Sequence, residues 1–151
     1  MIDVEALRDA EMSPALDAPV SMPPVSVDDS ESHGCANDLG EVSLHIEIYR
    51  DVTQARQAAD HDTQDPSGPG NPFPNAVRVP FGEPRGGAKL IATQTGISRV
   101  TWSNGVHYAL LEINSDPEIR GVRSRHPFEV LDTLIDRLVN RADRMLTEGN
   151  W

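Results

Sequence analysis

The sequence predicts an α+β fold: an antiparallel sheet of about four to five strands, with a short helix after the first strand and a long C-terminal helix packed on the sheet. Three observations predict it. Segments 88–94, 97–103 and 106–113 have the composition of strands and follow one another across short glycine-containing turns. Residues 42–49 alternate apolar and polar side chains, as a strand with one buried face does. Residues 126–146 repeat apolar side chains at helical spacing.

The 151 residues, of which 38% are hydrophobic, suit one compact domain with a small core. Residues 1–40 contain nine acids and one base, Arg8, and so contribute −8 to the formal net charge of −11. Phosphate neutralisation needs clustered lysine and arginine, so this balance argues against nucleic acid and anionic membranes as partners. We expect an acidic, Pro/Ser/Asp-rich segment at 1–40 that is partly mobile, and a single α+β domain at 41–148.

No stretch reaches the roughly 18 apolar residues of a membrane span, and residues 1–20 carry acids where a signal peptide has a basic start and an apolar run. We therefore expect no membrane span. The compartment stays open: extracytoplasmic or cell envelope if a leader was removed, and cytoplasmic otherwise. The single cysteine, Cys35, excludes an intrachain disulfide.

The N-terminal half holds two predicted helices and one predicted strand. Residues 4–12 fit a short helix, and the proline-rich residues 13–40 are expected to be extended or mobile. Residues 42–49 form the first strand. Asp51 then caps a helix over 52–60, whose alanines allow a sheet to approach closely.

A proline- and glycine-rich loop occupies 62–76, and its composition and length favour disorder over a functional role. Residues 77–81 form a brief edge strand, since Pro80 lacks the donor that a central strand needs. Residues 82–87 are a turn, because they precede a strand and have neither the lysine nor the spacing of a phosphate-binding loop.

The meander that follows contains the strongest turn signal in the chain. Asn104-Gly105 lies between two alternating runs, and such a pair favours a type I′ hairpin turn with positive φ at both central residues. Both faces of the last strand, 106–113, are apolar, so we expect this strand at the centre of the sheet. The C-terminal helix follows, with Pro127 in its first turn, acids near its start and arginines near its end.

The sequence contains no motif for catalysis or metal binding. The five histidines have neither the i, i+4 spacing nor the three or four ligands that a zinc site needs. We expect no catalytic residue, no metal and no cofactor. His45 and His107 lie on predicted strands; as cross-strand neighbours they would exchange protons near neutral pH, and otherwise they are ordinary surface histidines.

Two sets of residues are candidates for contacts with a ligand or partner. Three arginines before the C-terminal helix can bind an anion near its N-terminus, or can form a solvated loop that pairs with the acidic segment. Three aromatic residues can supply apolar contacts, or can belong to the core. The candidates are Arg120, Arg123, Arg125, Trp102, Tyr108 and Phe81.

Several segments occur in an order that is found in one group of proteins. Leu7–Val20 ends in Pro-Ala-Leu-Asp-Ala-Pro-Val, Cys35 follows, and a strand ending in Tyr49 leads into an alanine-rich helix. Val79–Glu83 then precedes three strands and a last helix. In this order the chain resembles the soluble domains of small actinobacterial cell-envelope lipoproteins and the extracellular sensor domains of membrane kinases. The resemblance implies an antiparallel α+β sheet and a binding or sensing role outside the cytoplasm; the paired cysteines common in that group are absent.

The function predicted first is a non-enzymatic binding or sensing module of the cell envelope, whose ligand or protein partner the sequence does not identify. The alternative is a small acidic intracellular chaperone or immunity-type inhibitor that binds a basic protein partner, since the isoelectric point is near 4.7. In that alternative the C-terminal helix can also serve as the face of a homodimer. A third hypothesis is an enzyme whose site is assembled from scattered histidines and aspartates.

Overall fold

The computed structural model describes residues 20–27, 30–36, 42–64, 76–92, 97–114 and 128–149. These residues form seven strands and two helices, in the order β1 (Val20–Val27), β2 (Ser30–Ala36), β3 (Val42–Ile48), α1 (Val52–Asp62), β4 (Ala76–Pro80), β5 (Ala88–Ala92), β6 (Ile97–Asn104), β7 (His107–Asn114) and α2 (Phe128–Glu148). The predicted helix at 4–12, most of the 62–76 loop and the predicted turn at 95–96, between the segments 88–94 and 97–103, lie outside the described residues.

All seven strands belong to one antiparallel sheet with the order β1-β2-β3-β7-β6-β5-β4. The predicted α+β class is confirmed, and the five predicted strands correspond to β3 to β7. The sheet is wider than predicted because β1 and β2 extend it. Periodicity does not reveal β1, since Pro23-Pro24 interrupts its pattern and the register shifts between Met22 and Val25.

The two helices cover opposite faces of the sheet. Asp51 caps α1 as predicted, because its Oδ1 accepts a hydrogen bond from Gln54 N at 2.9 Å, and the helix continues to Asp62. Ala55 and Ala59 are buried against β6 and β7, where their small side chains allow close packing. The much longer α2 buries seven apolar side chains on the other face.

The main core lies between α2 and the strands β3, β5, β6 and β7. Trp102 is its largest side chain and is 0% exposed. The strand residues of this core are Val42, Leu44, Ile46, Ile91, Val100, Trp102, Ala109, Leu111 and Ile113, and α2 contributes Leu131, Leu134, Ile135, Leu138, Val139, Ala142 and Leu146. The strand β7 lies between β3 and β6 and is apolar on both faces, which confirms its predicted central place.

The β6–β7 hairpin forms as predicted, but its turn is shifted by one residue. Asn104 pairs with His107, which leaves Gly105 and Val106 as the two loop residues. Gly105 is the first of them and has φ 59°, as the primed hairpin turns require at this position. The prediction that Asn104 and Gly105 are the two central residues of the turn is therefore wrong. Asn104 stays in the strand, and its Nδ2 donates to Asp143 Oδ1 of α2 at 3.2 Å.

The turn formed by residues 82–87, called the 82–87 turn below, lies directly against β6. Gly87 has φ 70°, and a Cβ on it would be 2.0 Å from the carbonyl oxygen of Thr101. Only glycine satisfies both the backbone angle and this approach. The Gly87 N–H donates to Asp60 Oδ1 of α1 at 2.7 Å, so α1 is tied to the turn at the same point.

The 82–87 turn also reaches α2. Arg85 Nη2 donates to Asp143 Oδ2 of α2 at 2.5 Å, while Arg85 O accepts from Ser103 N of β6 at 3.0 Å. On the other side, Arg56 of α1 forms an ion pair with Glu83 at 2.5 Å. One turn therefore joins β6 to the helices on both faces of the sheet.

In the parts of the chain that the structure describes, no helix combines the length and the apolar composition that a bilayer span requires.

Replacing Gly87 by alanine tests the close approach. We expect Gly87→Ala to lower the free energy of unfolding by several kcal/mol, because the Cβ must displace the β6 backbone. Gly82→Ala is the matched control: Gly82 has φ 73°, but its Cβ would meet no heavy atom of the described residues within 4 Å. Gly82→Ala should lower the free energy of unfolding by about 1 to 2 kcal/mol, because only the left-handed backbone conformation is strained. Urea unfolding measures both, and equal losses would contradict the close approach.

Candidate functional site

Two tyrosines and two carboxylates meet on the sheet face that α1 covers. We call Glu47, Tyr49, Asp62 and Tyr108 the tyrosine–carboxylate cluster. Glu47 of β3 and Tyr108 of β7 are cross-strand partners, Tyr49 follows β3, and Asp62 is the last residue of α1. The two tyrosine rings are edge to face, with centroids 6.3 Å apart, a favourable geometry for an aromatic pair.

Each tyrosine donates its hydroxyl to one of the two carboxylates. Tyr108 Oη donates to Asp62 Oδ2 at 2.5 Å, and Tyr49 Oη donates to Glu47 Oε2 at 2.8 Å. Tyr108 is only 2% exposed, and its ring packs with Ala55 and Ala59 of α1. The cluster therefore ties the C-terminal end of α1 to the middle of the sheet.

Burial and negative charge keep both tyrosines protonated. Desolvation, the hydrogen bond to Asp62 and the charges of Asp62 and Glu47 raise the pKa of Tyr108 far above its ordinary value of 10.0. Desolvation and the nearby Glu47 raise the pKa of Tyr49 to about 12. Neither phenol can act as a base at neutral pH, so their role here is hydrogen-bond donation.

Two histidines flank the cluster without joining each other. His45 Nε2 lies 3.2 Å from Glu47 Oε1, and His61 Nδ1 lies 3.2 Å from Asp62 Oδ1.

The hypothesis of a His45–His107 proton-exchange pair is wrong, because the β3–β7 register pairs His45 with Leu110. His107 is three positions further along β7, on the opposite face, since successive strand residues alternate. Among the described residues, no three His, Cys, Asp or Glu side chains are placed to hold a metal ion.

A second polar network centres on Asp143 of α2. Its carboxylate accepts from Trp102 Nε1 at 2.8 Å, from Arg85 Nη2 and from Asn104 Nδ2. Of the two alternatives for Trp102, the structure places the ring in the core, with its one polar atom bonded to Asp143. Three donors on one half-buried carboxylate fix the position of α2 on β6.

Lys89, the only lysine of the chain, is buried between β5 and α2. Its Nζ contacts Asp132 Oδ1 at 2.5 Å and Asp136 Oδ1 at 2.9 Å. Burial lowers the pKa of Lys89, but the hydrogen bonds to both carboxylates outweigh it, and the pKa lies above its ordinary value. Lys89 is therefore charged, and its ion pairs join β5 to α2.

The predicted site residues do not form one site in the structure. Tyr108 lies in the tyrosine–carboxylate cluster and Trp102 in the main core, on opposite faces of the sheet. Phe81 is half-buried against the main core, with Arg85 5.6 Å and Lys89 6.0 Å from its ring centroid. Arg120, Arg123 and Arg125 lie outside the described residues.

Sequence reasoning missed the carboxylates that bind these aromatic residues, Asp62 and Asp143. One signal for Asp62 was available. Asp60 and Asp62 occupy the last turn of α1, where the helix dipole disfavours negative charge. An acid in such a place indicates a tertiary partner, and the structure supplies Gly87 N for Asp60 and Tyr108 Oη for Asp62.

Part of the α1 face extends beyond α1. We call His45, Ile97, Arg99, Leu110 and Glu112 the polar sheet surface. They lie on neighbouring strands β3, β7 and β6, with Arg99 opposite Glu112 and His45 opposite Leu110. Arg99 donates twice to Glu112 Oε1, at 2.9 and 2.6 Å. Ile97 is 43% exposed, so this surface combines paired charges with accessible apolar atoms.

Alkaline titration tests the cluster, because the chain has only two tyrosines. The pKa of Tyr108 is raised in the folded state, so its contribution to the free energy of unfolding is fully present below pH 10. Above pH 10 the unfolded protein loses this proton first, and the free energy of unfolding falls by about 1.4 kcal/mol per pH unit for this tyrosine. The native protein should therefore show far less tyrosinate absorbance at pH 11 than the urea-unfolded protein. Tyr108→Phe should remove the fully resistant component, and Tyr49→Phe should leave it. Two tyrosines that titrate near pH 10 in the native protein would contradict the cluster.

No protein-family model, curated protein or solved structure matches this chain. The resemblance to actinobacterial lipoproteins and kinase sensor domains therefore stays a prediction.

Proposed function

We propose that the protein is a non-enzymatic binding module that contacts its ligand or partner through the polar sheet surface. The observation that carries this proposal is the unequal cover that the two described helices give to the two sheet faces. The 21 residues of α2 extend over about 32 Å, enough to seal the strands of the main core. The 11 residues of α1 extend over about 16 Å.

Of the two described helices, neither covers the α1 face of the sheet at one end of β6 and β7. These strands have eight residues each and are about 27 Å long. α1 packs where Ala59 O accepts a hydrogen bond from Thr101 Oγ1 and where Tyr108 meets the alanines. Arg99 and its partner Glu112 lie further along the strands, beyond that contact, while Leu110 lies opposite Thr101 and borders it. The residues of the polar sheet surface lie on hydrogen-bonded neighbouring strands.

The chemistry of this surface suits recognition. The side chains of Arg99 and Glu112 are each about 30% exposed, and they lie beside the half-buried Leu110 and the exposed Ile97. Protein interfaces commonly combine apolar atoms with a polar, hydrogen-bonding rim. A sheet also holds such groups in place before binding, which lowers the entropy cost of association.

The buried ionisable groups support a structural role over a catalytic one. Tyr108, Lys89 and Asp143 each direct their polar atoms to partners inside the fold. A catalytic acid or base needs a polar atom that can reach a substrate. In these three residues the polar atoms hold the helices to the sheet. A binding role therefore suits the protein better than a catalytic one.

Site-specific photocrosslinking in source cells tests this proposal. We expect Ile97→p-benzoylphenylalanine to form a defined adduct on intact-mass spectra, since position 97 is an exposed member of the polar sheet surface. Asn140→p-benzoylphenylalanine, at an exposed position of α2, is the matched control and should form none. Equal adducts from both positions, no adduct from position 97, or turnover of the bound ligand would contradict a non-enzymatic binding surface.

The native N-terminus and compartment decide between the two predicted settings of this module. Fractionation followed by intact-mass measurement should find a processed, envelope-associated form if the protein is a binding or sensing module of the cell envelope. A cytoplasmic form that begins at Met1 would favour the acidic chaperone or inhibitor, whose net charge of −11 suits a basic protein partner.

A further inference from the structure

The outer edge of β4 offers main-chain hydrogen bonds to another strand. Among the described strands β4 pairs only with β5. Val77 is 41% exposed, and Arg78 and Pro80 are also exposed. An exposed edge strand with apolar side chains is a template for pairing with a further strand.

The ladder between β4 and β5 fixes which main-chain groups point outward. Phe81 N donates to Gly87 O at 3.2 Å, so this pair occupies a hydrogen-bonding position of the ladder, although Gly87 N donates to Asp60 instead. Hydrogen-bonded pairs alternate along an antiparallel ladder, and Val79 and Val77 therefore bond to β5. The N–H and C=O groups of Ala76 and Arg78 face away from β5. Pro80 also faces away from β5, and because proline has no N–H, it has no outward donor that needs a partner.

The opposite edge of the sheet does not offer such a strand. β1 carries Pro23 and Pro24, and its register shifts between Met22 and Val25. Proline and bulges are the devices that block pairing at a sheet edge. A β1-to-β4 contact between copies, which would propagate into an open fibre, is therefore disfavoured.

We propose that β4 pairs with β4 of a second copy of this chain, antiparallel and about a two-fold axis at Val77. In this register Arg78 of one copy lies opposite Ala76 of the other, and each such pair exchanges two main-chain hydrogen bonds. Val77 lies opposite Val77, so two exposed β-branched side chains meet across the axis. A register centred on Arg78 would instead place two guanidinium groups opposite each other.

The size and charge of this contact determine how it behaves in solution. Pairing along a five-residue strand is small beside the interfaces of about 1,200 Å² or more that stable complexes bury. The dimer is therefore in concentration-dependent exchange with the monomer. Each copy has a net charge of −11, so added salt strengthens the dimer by screening the repulsion.

Sedimentation velocity of the full chain, from low-micromolar to near-millimolar concentration, tests the proposal. The wild-type protein should shift from monomer to dimer with concentration, and at lower concentration when salt is raised. Arg78→Pro should abolish the dimer, because it removes the outward N–H without touching the β4–β5 ladder. Arg78→Ala is the matched control: it loses the same side-chain bond to Thr63 O, 2.8 Å in length, and should still dimerise.

A wild-type protein that stays monomeric at every concentration and salt, or an Arg78→Pro variant that dimerises as well as Arg78→Ala, would overturn the proposal. If Arg78→Pro does not fold, Val77→Lys replaces it, since a lysine at the axis should weaken the dimer at least tenfold while leaving the monomer folded. Unchanged dimerisation of a folded Val77→Lys variant would overturn the proposal in the same way.

Discussion

Where the 82–87 turn meets β6, the main chains at Gly87 and Thr101 approach so closely that a Cβ on residue 87 would lie 2.0 Å from a carbonyl oxygen. The other contacts of the turn depend on this approach. It places Arg85 beside Asp143 of α2 and Gly87 N beside Asp60 of α1. Because α1 and α2 lie on opposite faces of the sheet, the position of one turn sets both layers relative to β6.

The tyrosine–carboxylate cluster follows from the placement of α1. Asp60 binds the turn and Asp62, two residues later, accepts the hydroxyl of Tyr108. A change in the turn therefore moves the carboxylate that keeps Tyr108 protonated. The same placement leaves Arg99 and Glu112 beyond the end of α1, so the position of α1 also sets the extent of the polar sheet surface.

Periodicity predicted those elements whose side chains face one core. Alternation marked β3, and the helical spacing of apolar residues over 126–146 marked α2, because burial imposes the pattern directly. β1 escaped because its prolines break the pattern, and the β6–β7 turn was misplaced because Asn104 bonds to Asp143, 39 residues away. Pairs such as Tyr108 with Asp62 are set by tertiary packing. The spacing of residues in the sequence does not predict such pairs. The one available signal is an acid at the C-terminal end of a helix, which indicates a tertiary partner.

Native-state hydrogen exchange of the Gly87 and Ser103 amides tests most directly whether the 82–87 turn holds the two layers together. These amides donate to Asp60 and to Arg85 O. If the turn is integral to the fold, both should exchange only through global unfolding, with the free energy found for amides in the centre of β7. Exchange of both amides through a low-energy local opening, while β7 and the two helices stay protected, would contradict the account.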